Sequence, residues 1–259
     1  MPQYSFGPGA MWGERTDTTG SGIGPRRFGT LQDVDLTVTF TSKELYSQEQ
    51  FPVALARGQG KVTGKAKLAR MNVRLYADIF FGLSAATGKQ TASQDEAAII
   101  PASPPYQVTV SNAATFVDDL GAMYAATGDT FNRVTTPANP GEYTVNLTTG
   151  VYTFAAPDAS LGVRISYRYS VATSGFQINV TNQPQGTTPY FKAVVYQKIS
   201  PGAPGTAGQT LPWMAYMPAC HANSMSWPTT QDNWTMNAFD FAAFADPSGQ
   251  VILFNADKQ

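Results

Sequence analysis

Asp33-Val-Asp-Leu-Thr-Val-Thr-Phe40 alternates without a break. Val34, Leu36, Val38 and Phe40 fall on one face, and Asp33, Asp35, Thr37 and Thr39 on the other. A period of two over such a run marks a strand with one buried face. Lys61-Val-Thr-Gly-Lys-Ala-Lys-Leu68 repeats the pattern, with Val62, Gly64, Ala66 and Leu68 inward and Lys61, Thr63, Lys65 and Lys67 outward. The connection between them, 41–60, contains Phe51-Pro52 and reads as a long loop. Hairpin loops commonly have about two to five residues, and much longer ones usually carry function.

Working outward, a helix is predicted over 73–81, capped by Asn72 and stopped by Gly82. Leu75 and Ile79 share a face with Met71, and Tyr76 pairs with Phe80. Residues 83–105, with Pro101, Pro104 and Pro105, read as a linker with at most a short helical piece near 94–99. A β-rich segment follows, through Tyr106–Val110, Glu142–Val145, Gly150–Phe154 and Val163–Tyr169, with Leu147-Thr-Thr-Gly150 as a turn. Short strands at this spacing predict a small sandwich-like insertion. Sheet signals resume at 175–182, 189–198, 224–229, 234–245 and 250–255, with Asp246-Pro-Ser-Gly249 as a turn and Pro201-Gly-Ala-Pro-Gly-Thr-Ala-Gly208 as a flexible loop. The expected organisation is an extended arm at 1–29, a mainly β core at 30–100 and 171–259, and an inserted subdomain at 101–170. The fold class is a β-sandwich or barrel with a flanking α-helix and a small inserted β-domain.

The chain has 259 residues, enough for a sizeable core, but only 14% are charged. Ordinary soluble domains carry about 25%. Interface cores are depleted in charge, so extensive contact with other subunits is one explanation. One Cys and one His exclude an intramolecular disulfide and a Cys/His zinc cluster. No strong basic excess accompanies them, with a net charge of −1. The N-terminus lacks the basic and apolar regions of a signal peptide, and no apolar run suits a membrane span. The sequons at Asn146, Asn179 and Asn233 are read as chance matches. Gly20-Ser-Gly22-Ile-Gly24 lacks the strand and the Gly-Lys-Ser/Thr ending of a phosphate loop.

The charge is unevenly placed. Arg57, Lys61, Lys65, Lys67, Arg70 and Arg74 follow one another with no acidic residue between. From 199 to 257 the only charges are Asp232, Asp240, Asp246 and Asp257. Three readings are open: a basic stripe meeting an acidic surface on the next copy, a DNA contact, or a solvated strand face. In the arm, Tyr4, Phe6, Met11 and Trp12 suit docking on a neighbour, against the alternative of a frayed terminus. The same logic applies to Leu45, Tyr46, Phe51 and Val53. Cys220-His221 reads as a buried thiol beside a hydrogen-bonded imidazole. Asp118-Asp119 reads as turn or loop residues, against a carboxylate pair for metal or glycosidase work. Tyr143, Tyr152, Tyr167 and Tyr169 read as alternating core and surface residues, against a sugar-binding platform. No catalytic, metal or cofactor site is expected.

Phe28-Gly-Thr-Leu-Gln-Asp-Val34, Lys43-Glu-Leu-Tyr46, Gln50-Phe-Pro-Val-Ala-Leu-Ala-Arg57, Lys61-Val-Thr-Gly-Lys-Ala-Lys67 and Ile79-Phe-Phe-Gly82 form an ordered series. That series resembles the major tail tube proteins of tailed bacteriophages. Pro140-Gly-Glu-Tyr-Thr-Val145, Gly150-Val-Tyr-Thr-Phe154 and Ile165-Ser-Tyr-Arg-Tyr169 look like an inserted segment of similar tail proteins, and 240–251 adds a weaker likeness. The resemblance implies a tail tube fold with no enzyme activity. It implies hexameric rings of one chain stacked into a tube, with a tape measure protein, a baseplate or tip, and a terminator as partners. DNA would pass through the lumen, and the protein would reside in the virion tail after assembly in the host cytoplasm. The connection after the first strand and the terminal arm would make contacts between rings, and the insertion would face outward. The alternative is a carbohydrate- or receptor-binding β-sandwich module of a tail tip.

Overall fold

The alternation at 33–40 and 61–68 builds two long strands. A computed structural model of the chain is mainly β, with 57% strand and 7% helix. The structure describes every residue except 1–3, 6–8, 17–23, 71, 201–210, 230, 233 and 257–259. Phe6, most of the glycine-rich stretch at 20–24, the loop at 201–208 and Asn233 therefore lie outside the described residues. The chain forms two compact units, one from Met1–Ala85 with Ile178–Gln259 and one from Ala86–Gln177.

The first unit begins with β1 (Tyr4–Ser5), β2 (Ala10–Arg15), β3 (Arg26–Arg27), β4 (Leu31–Tyr46) and β5 (Pro52–Leu68). A single α-helical turn, α1 (Val73–Leu75), runs into a π-helical segment, Tyr76–Phe81. The second unit holds β6 (Ala86–Ile99), β7 (Gln107–Thr109), β8 (Phe116–Tyr124), β9 (Asn132–Arg133), β10 (Glu142–Asn146), β11 (Val151–Phe154) and β12 (Gly162–Gln177). The chain then returns to the first unit with β13 (Tyr190–Ser200), β14 (Leu211–Ser226), β15 (Asn237–Ala243) and β16 (Leu253–Ala256).

In the first unit the strands run in the order β3-β2-β13-β14-β15-β5-β4, with β1 on β13 and β16 on β14. Val62, Ala66 and Leu68 are buried with Met11, Phe191, Phe239 and Phe241 in one core. Gly64 is required where it stands, because a Cβ there would overlap the ring of Phe241. The helix has the expected ends. Asn72 Oδ1 accepts the Leu75 N–H at 3.3 Å, and Gly82 stops it in the left-handed region at φ 65°. Most of it is π rather than α, and Leu75, Tyr76, Ala77, Asp78 and Ile79 are buried in succession. The one charge among them, Asp78, is met by Arg26 Nε at 2.7 Å. The expected Tyr76–Phe80 pair does not form. Tyr76 packs edge-on to Trp227, and Phe80 packs on Phe81 and Phe239.

Three expectations for this unit are corrected. The connection at 41–60 is strand except for a turn at 47–51, so β4 and β5 form one hairpin with strands of 16 and 17 residues. The arm contributes sheet strands. β2 pairs with β13 from Phe191↔Arg15 to Tyr196↔Ala10, and Met11 and Phe28 are core residues. β14 is missed by sequence over most of its length, because Pro212 and Pro218 interrupt it. Pro218 falls within a register shift opposite β13, where proline is tolerated.

The second unit stacks a β6-β12-β8 sheet and a β7-β11-β10-β9 sheet around their own core. Tyr143, Tyr152, Phe154, Val163, Ile165 and Tyr167 are central to it. The turn at Leu147–Gly150 is present, with Asn146 Oδ1 accepting the Thr148 N–H and Gly150 at φ 63°. The linker and short helix expected at 83–105 are replaced by β6, which pairs with β12 from Ile99↔Gly162 to Ala86↔Gln177. The unit therefore runs from 86 to 177 rather than from 101 to 170. The strand expected at 175–182 ends at Gln177.

Candidate functional site

The most unusual surface in the first unit is the outer half of the β4–β5 hairpin. β15 accompanies β5 only from Leu68↔Asn237 to Val62↔Ala243. From the level of Val38, the ladder partner of Val62, β4 continues to Tyr46, a rise of about 27 Å at ordinary strand spacing. Almost every residue from 37 to 60 is exposed. Phe51 is 79% exposed, Leu55 68% and Leu45 63%, with Tyr46 and Val53 also exposed. Such a run of large apolar groups in water is costly in a free chain.

The alternation gives this surface a direction. Phe40 lies opposite Gly60, on the face that carries Val62, Ala66 and Leu68 into the core. An extra residue in β5 between Gly60 and Arg57 then brings Arg57 opposite Ser42. Arg57 stays on the face of Phe40 and lies over its ring at 4.0 Å. Counting in twos, Leu55 and Tyr46 follow on that face. The core-facing surface thus runs on past the core along the hairpin.

The charged stripe meets its opposite within the chain. Lys67 Nζ lies 3.2 Å from Asp33 Oδ2, and Lys65 Nζ lies 3.9 Å from Asp240 Oδ1. Asp35 flanks Lys65 on β4, as Asp240 does on β15, and Lys61 lies opposite Thr39. One member of the basic stripe, Lys65, thus meets the acidic C-terminal stretch within its own chain, while Lys67 meets Asp33. Exposed pairs of this kind stabilise by about 0–1 kcal/mol. Asp240 also accepts the Ser224 hydroxyl at 2.7 Å. Asp246 organises its own turn: its Oδ1 accepts from Ser248 Oγ, Ser248 N and Gln250 N, and the Ser248 hydroxyl leads in holding its carboxyl below the ordinary value. Asp232 is exposed in a turn at φ 65°.

Tyr4 lies in β1, paired with Ser200 of β13. Trp12 is half-buried between Tyr196, at 6.4 Å between ring centroids, and Arg27, at 5.8 Å. The expected docking of the arm on a neighbour is therefore corrected for Met11, which is buried in its own chain's core.

The remaining candidates sort into structural roles. Cys220 is buried, and burial pushes its thiol up to about 12. His221 lies beside Phe244 at 6.0 Å. Asp118 and Asp119 sit in β8, not in a turn, and point apart. Asp118 pairs with Arg168 at 3.0 Å, while the buried Asp119 accepts the hydroxyls of Tyr143 and Tyr152 at 2.8 Å each. Burial first, and then Asp119, raises both tyrosine pKa values. Tyr143, Tyr152 and Tyr167 are buried and Tyr169 half-buried, so these rings form core and not a sugar-stacking platform. Among the described residues no cluster of three or more His, Cys, Asp or Glu is arranged to hold a metal ion.

The strand readings at 224–229 and 234–245 are corrected at the two tryptophans they contain. Trp234 is 84% exposed and Trp227 half-exposed, in the segment joining β14 to β15. Both fall in stretches read as strands, but β14 ends at Ser226 and β15 starts at Asn237, which leaves them outside the sheet. Among the described residues no helix is long and apolar enough to cross a membrane. Neither a protein-family model nor a curated protein matches the sequence.

Proposed function

We propose that the chain is a structural virion protein, the major tail tube subunit of a bacteriophage. Copies would stack as hexameric rings into the conduit for genome ejection. The observation that carries the reading is the β4–β5 hairpin, whose core-type face continues uncovered through Phe40, Leu55 and Tyr46. A surface built like half of a sandwich is completed when another polypeptide covers it. The mainly β fold, the helix at 73–81 and the low charge of 14% are consistent with a subunit that has many neighbours. On this reading the tape measure protein, the baseplate or tip, and the terminator are the further partners. DNA passes without specific contact, and the second unit faces away from the channel.

Negative-stain microscopy and sedimentation velocity on the purified full-length chain test it. Rings or tubes with a central hole are expected as concentration rises. A monodisperse monomer across concentration, salt and pH would overturn the proposal, as would a map with residues 86–177 inside the lumen for their outward placement.

A further inference from the structure

The sheet of the first unit has two outer faces, and they differ in kind. Val34 and Leu36 of β4 line one cleft with Val195 of β13 and Trp213 of β14, so these strands lie across the core from each other. On the β2–β13–β14 side, Trp12, Val194 and Tyr216 are ladder partners. They alternate with the buried Met11, Val195 and Ala215, and they make the face away from the core apolar. On the β4–β5–β15 side, the face away from the core carries Asp33, Asp35, Lys61, Lys65, Lys67 and Asp240, with threonines between them. Of the two outer faces, the second is the one whose chemistry suits a hydrated polyanion moving past it.

The lysines on that face form a row. Lys65 and Lys67 stand about 7 Å apart at ordinary strand rise, and Lys61 about 14 Å from Lys65. One strand of duplex DNA advances about 3.4 Å per phosphate, so the row is in step with alternate phosphates. Left alone, such a row would hold DNA. The ladder sets carboxylates among the lysines instead. Lys67 Nζ is 3.2 Å from Asp33 Oδ2. Lys65 lies in a shallow depression between Asp35 and Asp240, lined also by Thr63 and Asn223. Lys61 is opposite Thr39. Lys43 continues the face onto the hairpin, opposite Ala56, because the extra residue near Gly60 is in β5 and leaves the alternation of β4 unbroken. Along these three strands the face therefore holds four lysines against three aspartates, a net charge of +1. Non-specific binding to DNA is driven by release of the counterions that phosphates hold, and a face so nearly neutral releases few.

We propose that Asp33, Asp35 and Asp240 keep this lysine-bearing face from holding duplex DNA, so that the face passes DNA without retaining it. This inference rests on the tail tube reading, in which DNA is the cargo, and assigns the residues that govern its passage. The test uses the soluble full-length chain and a short labelled DNA duplex, followed by fluorescence anisotropy between about 50 and 200 mM salt. Wild-type protein is expected to bind weakly. The triple variant Asp33→Asn, Asp35→Asn, Asp240→Asn is expected to bind at least about tenfold more tightly at the lower salt, with a log–log salt slope steeper by about two to three. A control variant, Glu49→Gln, Asp129→Asn, Asp232→Asn, changes the net charge of the chain equally at exposed positions off this face and is expected to stay near wild type. Equal binding by the triple variant and wild type overturns the inference. So does a control variant that gains as much as the triple variant, because net charge alone would then account for the effect. Tight binding by wild type overturns it as well, in favour of a face built to hold DNA. If circular dichroism shows the triple variant unfolded, Asp33→Asn with Asp35→Asn, both exposed on β4, takes its place with the same criteria. Wild-type chains that never form rings or tubes overturn the tube reading, whereas the anisotropy result decides this inference separately.

Discussion

Replacing Phe51 and Leu55 together with serine removes two large apolar groups that touch little of their own chain. Full burial of such a side chain is worth about 1.5–3 kcal/mol. With Phe51 79% exposed and Leu55 68% exposed, most of that gain is still to be made on association. Scaled by exposure, the pair accounts for about 2–4 kcal/mol per contact. That is a factor of about 30 to several hundred in the association constant. Folding of the isolated chain should change little, because exposed substitutions usually stay within about 0.5 kcal/mol. The assay is the critical concentration for assembly, measured by pelleting, alongside thermal unfolding followed by circular dichroism. Assembly is expected to move to much higher concentration with the melting temperature unchanged. An unchanged critical concentration would refute the idea that the hairpin's apolar face is completed by another polypeptide. A large fall in melting temperature would show instead that the hairpin packs within its own fold.

Gly64→Ala should destabilise the first unit by about 1–3 kcal/mol through the overlap with Phe241, seen as a lower denaturant midpoint. Truncation through Gly9 should leave cooperative unfolding intact, whereas truncation through Gly29 removes Met11 and Phe28 from the core and should abolish it. The excised segment 86–177 should fold alone, since it has its own core, and a cooperative melt by near-ultraviolet circular dichroism checks this. In that segment, burial pushes the Glu96 carboxyl up, but hydrogen bonds from Tyr167 and Ser111 outweigh it and hold the pKa below the ordinary 4.5. The folded value then lies below the unfolded one, so this carboxylate stabilises the unit from neutral pH down past 4.5, and the contribution is lost as pH falls through the folded value. Glu96→Gln should flatten that part of the acid-unfolding profile, and an unchanged profile would contradict the assignment.

The inner half of the hairpin was legible because one face is buried. Val62, Gly64, Ala66 and Leu68 enter the core and Lys61, Thr63, Lys65 and Lys67 do not, which is what a period of two records. The outer half is exposed on both faces, so its residues carry no such constraint, and Gly58 and Gly60 obscure what remains. β6 hid for a related reason. Its small and polar residues are held by the long ladder to β12 rather than by deep burial. β2 was masked by the glycines around it, although Gly13 is itself buried close to Phe28. The paired charges were invisible because Asp240 and Lys65 are far apart in sequence and neighbours only through the β15–β5 register. The two helix ends were legible from Asn72 and Gly82, since caps act locally, whereas its π geometry had no local marker.

The ladder that ends at Ala86↔Gln177 also bears on the order of events in folding. Ala85 and Ile178, both in the first unit, are joined by the whole of 86–177. While that stretch is unfolded it is a loop of about 90 residues, and bringing its ends together costs entropy that grows as the logarithm of its length. Once folded, it presents its two ends as adjacent residues and spares the first unit about 3 kcal/mol of closure entropy. Pairing of the late strands β13–β16 with β2 and β5 should therefore speed up when 86–177 has already folded. A destabilising change confined to that segment would then slow folding of a sheet it does not belong to.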